Sequence, residues 1–223
     1  LAAQNGHVEV LRFLKDEWKL TAEDARVYDN YVLRLVAQNG HVEVLRFLKD
    51  EWKLTVVDAR TNNNQALRLA AGKGHVEVLR VLKDEWKLTV VDAKVYDNYA
   101  LRYAAINGHV EVLRVLNEVF GLTAHDARAG DNAPLRLAAR HGHEGVLRIL
   151  KEVFELTDED ARADDNYALI WAAEAGKVEV LRILKEVFEL TDEDARADNN
   201  YALRLAAGKR HVEVLRFLKE EWV

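Results

Sequence analysis

The chain has 223 residues, 49% of them apolar and 31% charged, with a formal net charge of −6. Lys/Arg and Asp/Glu are interleaved throughout, so no basic block marks a nucleic-acid or anionic-membrane surface, and no apolar run approaches the roughly 18–20 residues of a membrane span. Cys and Ser are both absent, which removes disulfides, Cys-based metal sites and the two commonest nucleophiles.

The sequence repeats every 34 residues. Leu1, Leu35, Leu69, Tyr103, Leu137, Trp171 and Leu205 each open a copy of L-A-A-x-x-G-H-V-E-V-L-R-x-L-K-x-x-W/F-x-L-T-x-x-D-A-R-x-x-D-N-x-A-L-R. Complete copies span 1–34, 35–68, 69–102, 103–136, 137–170 and 171–204, and a partial copy spans 205–223. A fixed period of this length implies units that bury apolar surface against their neighbours, so one repeat array over 1–223 is expected. The first copy starts midway through a helix, the chain contains no Met and neither end has a polar capping copy, so it reads as a segment of a longer array or a monomer.

Within one copy the signals follow in order. Asp97-Asn98 are expected to cap a helix start with their short side chains. Helix A is predicted over Tyr99–Asn107, with alanines that permit close approach of a neighbour, and Gly108 stops it in a left-handed conformation. Helix B is predicted from His109 to about Phe120, with Val110, Val112, Leu113, Val115, Leu116, Val119 and Phe120 on a broad apolar face. Glu111, Arg114 and Glu118 lie on its polar side at pairing distance along the helix. In Leu156-Thr157-Asp158-Glu159-Asp160-Ala161-Arg162 a Thr precedes an acid by three residues, resembling a capping box and predicting one short helical turn.

The copy at Ala133-Pro134-Leu135-Arg136-Leu137-Ala138-Ala139-Arg140-His141-Gly142-His143 resembles the ankyrin signature T-P-L-H-x-A-A-x-x-G-H. Gly74-His75-Val76-Glu77-Val78-Leu79 is similar to the ankyrin G-H-x-E-V-V stretch, and the likeness recurs in all seven copies. The period is 34 rather than the usual 33, Tyr-Ala-Leu-Arg mostly replaces T-P-L-H, and Leu-Thr-x-x-Asp-Ala-Arg stands where the hairpin finger is expected. The resemblance thus implies an all-α, ankyrin-like α-solenoid of helix-turn-helix repeats, with the β-hairpin fingers absent or replaced by a short helical turn. A tetratricopeptide reading also fits a 34-residue period but not the placement of Gly between the helices and beside His.

The histidines at 7, 41, 75, 109, 143 and 211 recur at one repeat position, with Lys177 once in their place. Equivalent atoms on stacked helices lie roughly 8–10 Å apart, too far to share an ion that needs ligands at about 2.0–2.1 Å. A structural role is expected, and the ankyrin resemblance implies hydrogen bonding that fixes the turn between helices A and B. No cofactor, metal or catalytic residue is expected. The carboxylates at Asp158, Glu159 and Asp160 sit where a helix start favours negative charge.

Leu11, Leu14, Leu20, Thr21, Asp24, Ala25, Asn30 and Leu33 keep their identity in every complete copy. Substitution concentrates in the loop before helix A, at the first residue of the copy and at the end of helix A. In proteins that this chain resembles, those positions line the concave face and contact partners. The expected function is a non-enzymatic, intracellular scaffold for protein–protein interaction. Its expected contact residues are Tyr28, Tyr31, Tyr96, Tyr99, Tyr103, Ile106, Arg140, His141, Tyr167 and Trp171. The alternative is a spacer array or an engineered, idealised repeat protein with no native partner.

Overall fold

The fold is seen in a computed structural model that describes residues 1–222. Among the described residues there is no strand, and helices account for almost every element. Each copy contributes a short capped helix, a reversal of the backbone, helix A and helix B. In the second and third copies these are Val56–Ala59, then Thr61–Lys73 across a kink, then Val76–Asp84.

Thr55 starts the short helix. Its N–H donates to Asp58 Oδ2 at 2.7 Å and its hydroxyl lies 3.2 Å from the same oxygen, which closes the predicted capping box with Asp as the acid. The box recurs at Thr21, Thr89, Thr123, Thr157 and Thr191.

The stretch expected to cap helix A behaves differently. Residues 28–30, 62–64, 96–98, 130–132, 164–166 and 198–200 all have φ between +48° and +63° and form a single left-handed turn. A residue with a Cβ is disfavoured there by roughly 1–2 kcal/mol, and Gly, Asn and Asp suffer least. The sequences Tyr-Asp-Asn, Asn-Asn-Asn, Gly-Asp-Asn, Asp-Asp-Asn and Asp-Asn-Asn supply those types. Asn30, Asn64, Asn132 and Asn166 are buried with Oδ1 accepting no hydrogen bond, so they serve the backbone conformation rather than a side-chain cap.

Helix A buries Ala66, Leu67, Ala70 and Ala71, and helix B buries Val78, Leu79, Val81 and Leu82. Helix B is shorter than predicted, Val110–Glu118 in the fourth copy, but Val112, Leu113, Val115, Leu116 and Phe120 are buried as expected. The aromatic after helix B packs toward the preceding copy. Trp52 and Trp86 are 6% and 2% exposed, whereas Trp18, in the first copy, is 71% exposed.

Two compact units emerge from the packing. One comprises Leu1–Ala104 with Val115–Leu122, and the other comprises Ala105–Arg114 with the residues from Thr123 onward. In the first unit, helix A of the second copy packs on that of the third, and the helices B over 8–16, 42–50 and 76–84 pack in sequence. In the second unit the A segments over 129–141, 158–174 and 192–208 pack in turn, and the helices B over 144–152, 178–186 and 212–220 do likewise.

Polar contacts lock neighbouring copies together inside each unit. Arg26 donates to Asp58 at 2.8 Å and 3.3 Å, and Arg60 to Asp92 at 2.8 Å and 3.0 Å. In the second unit Arg128 donates to Asp160 at 2.7 Å and 2.9 Å, and Arg162 reaches Asp194 at 3.0 Å. The histidine ring supplies a second lock. Nε2 of His41, His75, His143 and His211 lies 2.7–2.9 Å from the carbonyl of Gln4, Gln38, Ile106 and Glu174 respectively, at the end of the preceding helix A. The histidines are therefore structural, but they join adjacent copies instead of fixing the turn within one. Gly40 makes room for the ring, since a Cβ there would meet His75 Nδ1 at 2.7 Å.

Gly40 and Gly121 share φ near +80°, yet nothing lies within 4 Å of a Cβ built at Gly121. Gly121→Ala should lose only the backbone term of roughly 1–2 kcal/mol, and Gly40→Ala should lose measurably more in denaturant unfolding. Equal losses would show that the histidine contact contributes nothing.

Burial pushes the Asp58, Asp92 and Asp160 carboxyls up, but the arginine of the preceding copy and the capping-box Thr outweigh it and hold all three below the usual range. Their contribution to stability is complete above the unfolded value of about 3.9 and is lost as pH falls through the lower folded-state values. Unfolding free energy should accordingly drop as pH falls below about 4, and Asp92→Asn should flatten that drop. An unaltered pH profile in the variant would remove Asp92 from the account.

Candidate functional site

The predicted contact residues lie on the left-handed turns and on the exposed side of helix A, and arginines organise several of them. In the first unit Tyr99 and Tyr103 stack with ring centroids 4.0 Å apart and planes 16° apart. The Arg68 guanidinium lies 4.8 Å from the ring centres of both Tyr96 and Tyr99. Tyr96 accepts a hydrogen bond from Asn63 Nδ2 at 2.5 Å. Burial and the Tyr103 hydroxyl push the Tyr99 phenol up to about 12. Arg68, Tyr96, Asp97, Tyr99 and Arg102 line a shallow depression.

A second cluster lies wholly in the second unit. Trp171 has the Arg136 and Arg140 guanidinium groups 5.4 Å and 5.2 Å from its ring centre. Tyr167 meets it edge-on, 5.6 Å away at 88°. Arg136 also forms an ion pair with Asp164. Cation–π contacts of this kind are worth about 0.5–1 kcal/mol at exposed sites, and here two of them converge on one ring.

The remaining predicted residues stand outside these clusters. Tyr28 is exposed on its left-handed turn, and exposed Tyr31 has Arg34 5.4 Å from its ring centre. Ile106 gives its carbonyl to His143, so its part in the fold is a backbone one. His141 is exposed and stacks 6.2 Å from His143. Partial burial, the His143 ring and the Arg140 and Lys177 charges hold its pKa below the usual histidine value.

Sequence reading missed the arginine of the Leu-Arg pair that closes most copies. Its Nη2 donates to the carbonyl six residues earlier, inside the left-handed turn. Arg34 bonds Tyr28 O at 3.0 Å, Arg68 bonds Asn62 O at 3.0 Å, and Arg102 bonds Tyr96 O at 2.8 Å. Arg136 bonds Gly130 O at 2.9 Å and Arg204 bonds Asp198 O at 3.5 Å. The signal was the recurrence of Arg at a position that a solvated helix face does not dictate.

Among the described residues there is no cluster of His, Cys, Asp or Glu able to hold a metal ion, and no helix is long and apolar enough to cross a membrane. The arrangement offers rigid aromatic and guanidinium surface. No curated protein matches the chain. Among solved structures it is similar to an ankyrin repeat family protein from Legionella pneumophila, at 21% identity over 97% of this chain and 67% of that one, with a TM-score of 0.45. The family model for ankyrin repeats (3 copies) matches residues 1–92. The matched residues 1–92 carry this chain's 34-residue pattern, and the same pattern runs on through the later copies.

Proposed function

We propose that the seven copies form one array that binds a protein partner through the left-handed turns and the exposed side of helix A. Ankyrin repeats in general mediate protein–protein interaction as non-enzymatic scaffolds. The observation that carries this reading for the present chain is Trp171, half-buried between two arginines with Tyr167 edge-on. Aromatic side chains so held lose little conformational freedom on binding, and Trp, Tyr and Arg are the residue types that dominate binding energy at interfaces. Tyr96, Tyr99 and Tyr103 with Arg68 give the first unit a comparable anchor. The proposed setting is inside the cell, where the lack of Cys carries no penalty.

The test compares capture by the wild-type chain with capture by Trp171→Ala. A stoichiometric partner should bind the wild type, and the variant should lose at least about 2 kcal/mol, roughly thirty-fold in affinity. A partner held equally well by both would remove Trp171 from the interface, and repeated absence of any partner would favour a spacer array.

A further inference from the structure

In three of the complete copies that carry the Leu-Arg pair, the arginine bonds a carbonyl of its own left-handed turn and also reaches the next copy's turn or the residue beside it. Arg34 Nη1 donates to Gln65 Oε1 at 2.7 Å, Arg68 lies over Tyr96 and Tyr99, and Arg136 is ion-paired with Asp164. The fifth copy has no such arginine, because Ile170 occupies its position. Ile170 is buried and has no group that could bond a carbonyl or a carboxylate.

A cavity of about 330 Å³ opens at this point. Asp165, Asn166, Tyr167 and Ile170 line it from the fifth copy, and Ala197, Asp198 and Tyr201 from the sixth. Its walls match the places where arginine sits elsewhere. Asp198 lies 34 residues after Asp164, the carboxylate that pairs with Arg136. Tyr201 is the counterpart of Tyr99, which has a guanidinium from each of two copies, Arg68 at 4.8 Å and Arg102 at 6.0 Å. Tyr201 has Arg204 at 5.3 Å, whereas the position that would supply its second guanidinium is Ile170. Asn166 lines the cavity with an Oδ1 that accepts no hydrogen bond, a feature it shares with Asn30, Asn64 and Asn132 in copies that keep their arginine.

We infer that this cavity is a binding site for an arginine side chain of the protein partner, which takes the seat that Ile170 leaves open. A planar guanidinium can lie on a tyrosine ring while donating to a carboxylate and an amide oxygen, whereas an ammonium group cannot do both in one plane. The inference rests on the protein-binding reading above and supplies one chemical feature of the partner.

The probe is acetyl-arginine amide, titrated to high millimolar concentration against the whole chain and followed by NMR of the residues around Tyr167, Ile170 and Tyr201. Acetyl-lysine amide serves as the control. Saturable binding is expected, about tenfold tighter for arginine than for lysine. Asp198→Asn should weaken it about fivefold or more. Ile170→Arg, which restores the internal arginine, should abolish it. Absence of saturable binding, equal binding of the two probes, or undiminished binding by Ile170→Arg would overturn the inference. If Ile170→Arg fails to fold, an Asp198→Asn variant that binds like the wild type overturns it instead. Failure here with a Trp171-dependent partner intact would reject the arginine seat alone. Saturable arginine binding alongside a partner indifferent to Trp171 would reject the Trp171 anchor alone.

Discussion

One carboxylate per repeat links local structure to stacking. Asp58, Asp92 and Asp160 each close a capping box in their own copy and receive the guanidinium of the copy before. An exposed ion pair is worth about 0–1 kcal/mol and would not organise a fold. These side chains are different, because Asp58, Asp92 and Asp160 are only 6–8% exposed and the arginine donates through two nitrogens. A buried carboxylate that lost its arginine would retain the desolvation cost without the compensating bonds. The box also closes at Thr21 in the first copy, where no arginine of a preceding copy exists, so the arginine does not create the short helix but ties it to its neighbour. Repeat folding and repeat stacking are thereby coupled at this position, as a nearest-neighbour array needs.

The left-handed turn is the costly part of the design. Three successive residues with positive φ would not persist in an isolated peptide, since each with a Cβ carries roughly 1–2 kcal/mol of steric penalty. Two features offset this. Gly, Asn and Asp fill most of the positions, and an arginine from helix A bonds a carbonyl of the turn in five of its six occurrences. Such a turn forms a tight reversal at the place where the sequence resemblance left a projecting hairpin in question. Side chains on the turn are consequently presented at fixed positions, with Tyr28 and Tyr96 as the clearest cases.

Much of this was legible from residues alone. The 34-residue period, the helix pair, the apolar face of helix B and the Thr-x-x-Asp box all have short-range signatures, and each is present in the fold. Gly40 and Gly108 end helix A in left-handed geometry, as the position of Gly before His predicts. Other features could not be read because they depend on the neighbouring copy. Nothing local to His75 says that its ring bonds Gln38 or that Gly40 is small to admit it. The Asp-Asn pair was read as a helix cap because caps and left-handed turns select the same residues. Thr61-Asn62-Asn63-Asn64, an irregular copy by sequence, forms the same turn as the others. The paired placement of Tyr99 with Tyr103 and of Tyr167 with Trp171 follows from four-residue spacing on helix A, but Arg68 over Tyr99 and Arg136 over Trp171 come from the packing of the preceding helix A.

An array of identical units would present identical surfaces and could not tell one partner from another. Selectivity must come from copies that depart from the pattern. Departures within the core leave the exterior alone: Phe120, Phe154 and Phe188 replace Trp at a position that is also buried at Trp52 and Trp86. Departures at the junction surface act otherwise. Trp171 replaces the usual Leu at the start of the sixth copy and gathers two arginines, while the adjacent Ile170 removes an arginine and opens a cavity beside Asp198. Two consecutive substitutions thus add an apolar anchor and subtract a cation within one junction. On the proposed reading, the change replaces an internal contact with one that a partner's side chain completes, and such a departure would distinguish a recognition surface from a merely repeated one.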